Sequence, residues 1–329
     1  MAKPGPKNDI TDVPGLKVGQ SENPSINTGV SVILPDAPAI CAVDVRGGGP
    51  GTRETDLLDP STLVDKVNAV VLSGGSSYGL GAADGVTGWL GAQGRGFQLI
   101  PTPGTPPSPI VPSAILYDLA NGGDKNWGDT PPYMALGKAA CENASRSLTQ
   151  GQAGAGFGAR AGTGPGGLGS ASYITDDGFI IGAVMAVNSF GSVKMPGSSA
   201  YWAWPFEENA EFGGHRPGAD WAPQSDLPSD TKLKAPARAN TTIGIVAIAA
   251  ALTPAESQRV AIMAQDGLSR AIRPIHGPTD GDAIFVLALG GAPCDDALCL
   301  TRIGNLAADC VARAIAKGVY EAEKQSQGK

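Results

Sequence analysis

The stretch Ala239-Asn240-Thr241-Thr242-Ile243-Gly244-Ile245-Val246 joins two unlike pieces of chain. Before it, Pro223 to Ala239 is polar and broken by prolines; after it comes an apolar run with the β-branched residues of a buried strand. The first residue of that strand carries a hydroxyl and has an asparagine in front of it. Read chemically, Asn240-Thr241 is a bond the chain can cut by itself. Cleavage would leave Thr241 as an N-terminal residue with a nucleophilic Oγ and a free α-amine, whose pKa of about 7.7 to 8 lets it take the hydroxyl proton. Taken alone, the dipeptide reads first as an ordinary turn residue opening a strand. The rest of the chain has to decide.

A length of 329 residues fits two domains or one large α/β domain. The 47 glycines and 27 prolines, set in a chain that is 42% hydrophobic, imply many tight turns and close backbone approaches rather than disorder. A net charge of -7 argues against nucleic acid or an anionic membrane as partner. No apolar run reaches the roughly 18 residues of a membrane span, and Met1 to Lys7 leads into no hydrophobic signal segment, so a cytoplasmic protein is expected. The five cysteines are an odd number, and Cys294-x4-Cys299 lacks the spacing of a zinc knuckle. Reduced thiols are the expectation.

Along the chain, strands are expected at 15–20, 29–34, 39–46, 68–72, 110–119, 168–174 and 178–188. Helices are expected at 82–91 and 131–145, the second with Tyr133, Leu136 and Ala140 on one face. Gly154 to Gly169 looks like a phosphate loop but lacks the Gly-Lys-Ser/Thr ending and the third glycine of a dinucleotide fingerprint. No nucleotide is therefore expected there. Residues 195–239 are the least regular part, the length of a lid or of a segment that moves after processing. The last 89 residues return to order: a strand from Thr241, a helix from the capping box Thr253-Pro254-Ala255-Glu256 to about Ile272, a strand 282–290 and a helix 297–324.

Two active sites compete. Gly75-Ser76-Ser77-Tyr78-Gly79 fits a G-x-S-x-G nucleophile elbow between strand and helix, and Arg46-Gly47-Gly48-Gly49 imitates its oxyanion loop. Only His215 and His276 could serve Ser77, and Asp280 follows His276, the reverse of the expected acid-then-histidine order. For Thr241, the companions are Asp280 and Asp282 of Thr279-Asp280-Gly281-Asp282, alternate carboxylates able to share one side of the chain. The same residues also read as a solvated turn, and no twelve-residue calcium loop supports a metal there. Asn188 and Tyr117, polar tips on apolar strands, are candidates for stabilising an oxyanion; the bland readings are a capped strand end for the first and a satisfied buried tyrosine for the second.

These residues resemble the DmpA/NylC family of N-terminal-nucleophile hydrolases, which holds L-aminopeptidase/D-esterases, β-peptidyl aminopeptidases and the nylon-oligomer endo-hydrolase. The resemblance runs over nearly the whole chain: Ile10 to Gly15, Val43 to Glu54, Gly74 to Leu80, Gly154-Ala155-Gly156, and Asn240-Thr241-Thr242-Ile243 with Asp280-Gly281-Asp282. It implies an α/β (α+β) fold, an αββα sandwich, cut into an α chain 1–240 and a β chain 241–329 that together make one domain. It also implies a small peptide or amide substrate and a homo-oligomer, a tetramer of processed heterodimers, with no cofactor or metal. By the same resemblance Thr241 is the nucleophile freed by autocleavage at Asn240, Asp280 and Asp282 are its acidic partners as in the nylon-oligomer branch, Tyr117 and Asn188 are pocket residues, and Ser77 lies in a non-nucleophilic glycine loop. One departure stands out: where the family carries a pocket lysine, this chain reads Ala161-Gly162-Thr163-Gly164. A serine esterase acting through Ser77, or a non-catalytic binding protein on the same fold, are the alternatives.

Overall fold

The computed structural model describes residues 1–222, 226–232 and 240–328. Parts of the irregular stretch before the proposed cut, 223–225 and 233–239, lie outside the described residues. The longer strands, in chain order, are β1 (Leu16–Asn23), β2 (Thr28–Pro35), β3 (Ala39–Val45), β4 (Val70–Ser73), β5 (Ser113–Ile115), β6 (Gly167–Thr175), β7 (Ile180–Asn188), β8 (Thr241–Ala251) and β9 (Ala283–Pro293). The helices are α1 (Ala82–Gly91), α2 (Tyr133–Glu142), α3 (Pro254–Ala264), α4 (Asp266–Ala271) and α5 (Ala297–Gln327).

One sheet has seven strands in the order Ala2–Lys3, β6, β7, β8, β9, β3, Lys66–Val67. The other has five: β1, β2, β4, β5, Thr52–Arg53. Period-two alternation sends each strand's side chains into two different cores. On β8, Ile243, Ile245 and Ala247 pack between the sheets with Val184, Phe285, Ile33 and Leu72. Its Val246 and Ile248 face the other way, onto Val260, Leu268, Val311 and Ile315 of α3, α4 and α5. Val30, Val32 and Val71 of the smaller sheet meet Val86 and Leu90 of α1 and Tyr133, Leu136 and Ala140 of α2. Three cores separate four layers, helix, sheet, sheet, helix, which is the expected αββα sandwich.

The strands β8 and β9 run parallel through the middle of the large sheet, so the residues after Asn240 supply its centre. Parallel neighbours need a crossover, and α3 and α4 form it. The capping box is present, with the Thr253 side chain accepting from the Glu256 N–H. One continuous helix to Ile272 is expected from the sequence; instead the helix is interrupted at Gln265 and ends at Ala271. The Gln265 amide donates to the Asp44 carbonyl (2.7 Å), tying the interruption to β3, and Pro274 biases the residue before it away from helix. Close approach of α5 to β6 explains part of the glycine content. A Cβ at Gly169 would lie 1.9 Å from the Ala314 carbonyl oxygen.

Two expectations are corrected. The strand expected over 110–119 shrinks to Ser113–Ile115, because Asp118 leaves the ladder to accept from the Gly75 N–H (2.7 Å) and the Thr28 hydroxyl (2.6 Å). Not all thiols are reduced: Cys294 and Cys299 form a disulfide, while Cys41, Cys141 and Cys310 are free and buried. The turn from β9 into α5 brings their Cα atoms to 5.6 Å, within bridging reach.

Residues 195–222 are irregular yet firmly packed. Glu211 accepts from the fully buried Arg313 of α5 at 2.6 and 3.0 Å, and Lys317 lies 3.5 Å from the same carboxylate. Arg313 also bonds Asn8 and the Ser172 carbonyl. Removing the acid strands two buried cations, so Glu211→Ala is expected to cost about 3 to 5 kcal/mol in a denaturant-unfolding measurement. A loss under about 1 kcal/mol would contradict the network's place in joining this segment to α5. Among the described residues, no helix is long and apolar enough to cross a membrane.

Candidate active site

Thr241 opens β8 and shares the face of Ile243 and Ile245, so its side chain points into the gap between the sheets. It is 3% exposed. In register across the antiparallel pair lies Asn188, the last residue of β7, also on the inter-sheet face. On the other side, the loop that leads into β9 brings Asp280, Gly281 and Asp282 against the same strand end. Asn240 pairs with Asp280 in a parallel bridge, and the Gly281 N–H donates to the Asn240 carbonyl at 3.2 Å. The Thr241 hydroxyl donates to that same carbonyl oxygen. Gly281 has to be glycine: a Cβ there would sit 2.7 Å from Thr241 Oγ1 and 2.9 Å from the Gly49 carbonyl oxygen.

The two carboxylates differ in what they hold. Asp282, fully buried, accepts from the Thr242 N–H (2.7 Å) through one oxygen; the other oxygen meets His276 Nδ1 (2.9 Å) and accepts from the His276 N–H (3.2 Å). It therefore fixes the peptide just after the proposed nucleophile. Asp280 accepts from the Gly277 N–H (2.7 Å) and, more weakly, the Phe190 N–H (3.4 Å). Burial, and next the negative charge of Asp282, push Asp280 up to about 6, against the pull of its backbone donors and Lys232. Among the described residues neither carboxylate bonds the Thr241 hydroxyl, which is engaged by Asn240.

The loop Arg46-Gly47-Gly48-Gly49 is the cradle of this acidic turn. Arg46, Gly48 and Gly49 donate backbone N–H groups to the carbonyls of Asp282 (3.0 Å), Gly277 (3.2 Å) and Asp280 (2.7 Å). A Cβ at Gly47 would come within 2.3 Å of the Asp280 carbonyl oxygen and the Asp282 nitrogen. It is no oxyanion loop for Ser77. Ser77 itself is exposed in a 3-10 turn (Ser76–Gly81), and the His276 ring is engaged with Asp282.

Asn188 is held on several sides. Its Nδ2 donates to the Tyr117 carbonyl (2.9 Å), and its Oδ1 accepts from the Arg160 N–H (2.9 Å) and the Asn121 amide (3.2 Å). Tyr117 thus reaches Asn188 through its backbone carbonyl, and the residue is half-buried. Two residues of the neighbourhood escaped the sequence reading of this site. In the sequence His276 reads only as a partner for Ser77. Lys232, whose Nζ bonds the Asn188 backbone carbonyl (3.0 Å) and Oδ1 (3.2 Å), sits in a stretch with no pattern to mark it. Among the described residues no group of three or more His, Cys, Asp or Glu side chains could hold a metal ion. A groove of about 770 Å³ between α1 and α2, lined by Tyr78, Trp89, Tyr133 and Met134, contains none of the groups described here.

The helix-sheet-sheet-helix layering is that of the N-terminal-nucleophile hydrolase fold. Two solved structures share it over 97% of this chain: a Burkholderia sp. β-aminopeptidase (TM-score 0.72, 21% identity, 88% of that chain) and the L-aminopeptidase D-Ala-esterase/amidase of Ochrobactrum anthropi (0.69, 23%, 87%). Peptidase family S58 matches residues 8–329, and the chain belongs to that family. An uncharacterized aminopeptidase of Mycobacterium tuberculosis (strain ATCC 25618 / H37Rv) is 41% identical over 96% of this chain and 94% of its own. A 6-aminohexanoate-oligomer endohydrolase of Kocuria sp. (strain KY2) is 32% identical over 84% and 73%. The chain is thus a hydrolase of amide bonds.

Proposed function

We propose that the chain cuts itself between Asn240 and Thr241, and that the freed Thr241 then hydrolyses amide bonds in short peptides or linear amide oligomers. The observation that carries this reading is the arrangement at the scissile carbonyl: the Thr241 hydroxyl lies on the Asn240 carbonyl oxygen, which also accepts the Gly281 N–H. Attack of Oγ on the Asn240 carbon closes a five-membered ring. The Gly281 N–H stands where the developing oxyanion needs a donor. Breaking the C–N bond moves the acyl group to Oγ as an ester, and the proton lost by Oγ ends on the new α-amine; water then releases the α chain as a carboxylic acid.

In the processed protein the α-amine takes the Oγ proton, and Asp282 holds the peptide that follows Thr241. Asp280 favours the cation that forms on the amine. Asn188 and Tyr117 line the gap that the substrate acyl group enters, and the assembly is a homo-oligomer of processed heterodimers. The higher identity with the mycobacterial aminopeptidase favours short peptides, while the acidic pair matches the nylon-oligomer branch. A panel of amino-acid p-nitroanilides, β-peptides, D-amino acid amides and linear 6-aminohexanoate oligomers, run on fully cleaved protein, separates the two.

The rival nucleophile is tested in the same assay. Ser77→Ala should still be cut and should keep its turnover within about tenfold of the parent. Loss of both would restore the elbow reading.

A further inference from the structure

Lys232 stands eight positions before Asn240, in a segment that is docked without help from its side chain. The Lys232 N–H donates to the Phe190 carbonyl (3.1 Å), the Thr163 N–H donates to the Asp230 carbonyl (2.9 Å), and the buried Thr231 hydroxyl donates to the Pro228 carbonyl (2.8 Å). Yet the lysine side chain turns inward. Its Nζ bonds both oxygens of Asn188, the residue in register with Thr241, and its charge acts on Asp280. Burying an ammonium is costly, and an apolar side chain would serve packing better. Its position therefore asks for a role in the site.

We propose that Lys232 is a positioning residue of the active site, contributed by the end of the α chain: its ammonium locks Asn188 beside Thr241 and keeps Asp280 as a carboxylate, before and after the cut. This rests on the self-cleavage reading above. Around Nζ the charged groups are Asp280, with Asp282 and His276 beyond it, and Arg160 from the neighbouring loop. Burial, opposed by Asp280 and reinforced by Arg160, brings Lys232 down to about 7. The cation is present below that pH and lost as pH rises through it. Between about 7 and 10.5 the unfolded chain binds the extra proton, so burying this lysine destabilises the fold at neutral pH.

The test compares Lys232→Met, Lys232→Arg and Thr241→Ala with the parent. Self-cleavage is followed by gel after cell-free synthesis, turnover of an amino-acid p-nitroanilide is measured from pH 5 to 10 on processed protein, and melting is recorded at pH 7. Lys232→Met should slow self-cleavage and kcat by about tenfold or more, with KM within about threefold, and should melt no lower than the parent. Lys232→Arg should recover most of the rate, and its ratio to the parental rate should climb above about pH 7, on top of the rise both share as the α-amine loses its proton, because a guanidinium stays charged. If Lys232→Met melts much lower, or cuts and turns over at the parental rate, or if Lys232→Arg keeps the parental pH profile, the assignment is wrong. Should Lys232→Met fail to fold, the alkaline limb of Lys232→Arg decides alone. Self-cleavage or turnover by Thr241→Ala would instead overturn the reading on which this rests.

Discussion

Thr241→Ala should be recovered as one uncut chain and should lose turnover by roughly 10⁴-fold or more, the scale seen when the nucleophile of a cooperating set is removed. The expectation follows from position. Thr241 Oγ1 is already on the carbonyl it would attack, and the Gly281 N–H is in place on the same oxygen. The change removes the hydroxyl and one methyl and leaves the surrounding groups in place, with no atom to form the ester. The fold should survive, since a single hydroxyl at a strand end contributes only about 1 kcal/mol. A melting curve close to that of the parent separates lost chemistry from lost structure. Appreciable self-cleavage or turnover by this variant would mean that another residue is the nucleophile.

Asp282→Asn is expected to lower kcat by about 10² or more on processed protein, with a smaller change in KM. The carboxylate faces the N–H of Thr242 on one oxygen and the ring and backbone nitrogens of His276 on the other. An amide has one oxygen to offer, so whichever way it turns, an NH₂ is set against a donor N–H. The Thr242 peptide loosens, and with it the nucleophile. Replacing Asp280 by Asn should cost a similar factor, because the stabilised cation exists mainly in the transition state. With Asp280 raised to about 6, its carboxylate form is lost as pH falls through that value, and turnover of the parent should fall with it. Steady-state kinetics on chains already cut, or on the two chains supplied separately, keeps a maturation defect out of the measurement. Parental rates for both amides would reduce Asp280-Gly281-Asp282 to a plain turn.

Much of the framework was readable in the residues themselves. The capping box Thr253 to Glu256, the apolar run from Thr241 and the one-faced pattern of Tyr133, Leu136 and Ala140 encode local structure, and local rules find it. The four-layer arrangement was not readable from pattern. The strand β8 is buried on both faces, so its alternation carries no polar signal to say which core each side chain enters; the sandwich came from resemblance. What escaped is what depends on distant partners. The Gly47-Gly48-Gly49 loop imitates an oxyanion loop until the turn at 277–282, more than two hundred residues later, fills it. His276 is an unremarkable histidine until Asp282 meets its ring, and Lys232 is one more surface-type lysine until Asn188 lies beside it. Composition likewise could not show Cys294 and Cys299 bridged, since only the turn into α5 sets their separation.

The most direct test of the account is the N-terminal sequence and mass of freshly purified, active protein. Cleavage at the proposed bond divides a chain of about 33 kDa into pieces of roughly 24 and 9 kDa, the smaller beginning Thr-Thr-Ile-Gly. Fully active protein that remains a single chain of about 33 kDa, or a new N-terminus at any residue other than Thr241, would contradict it.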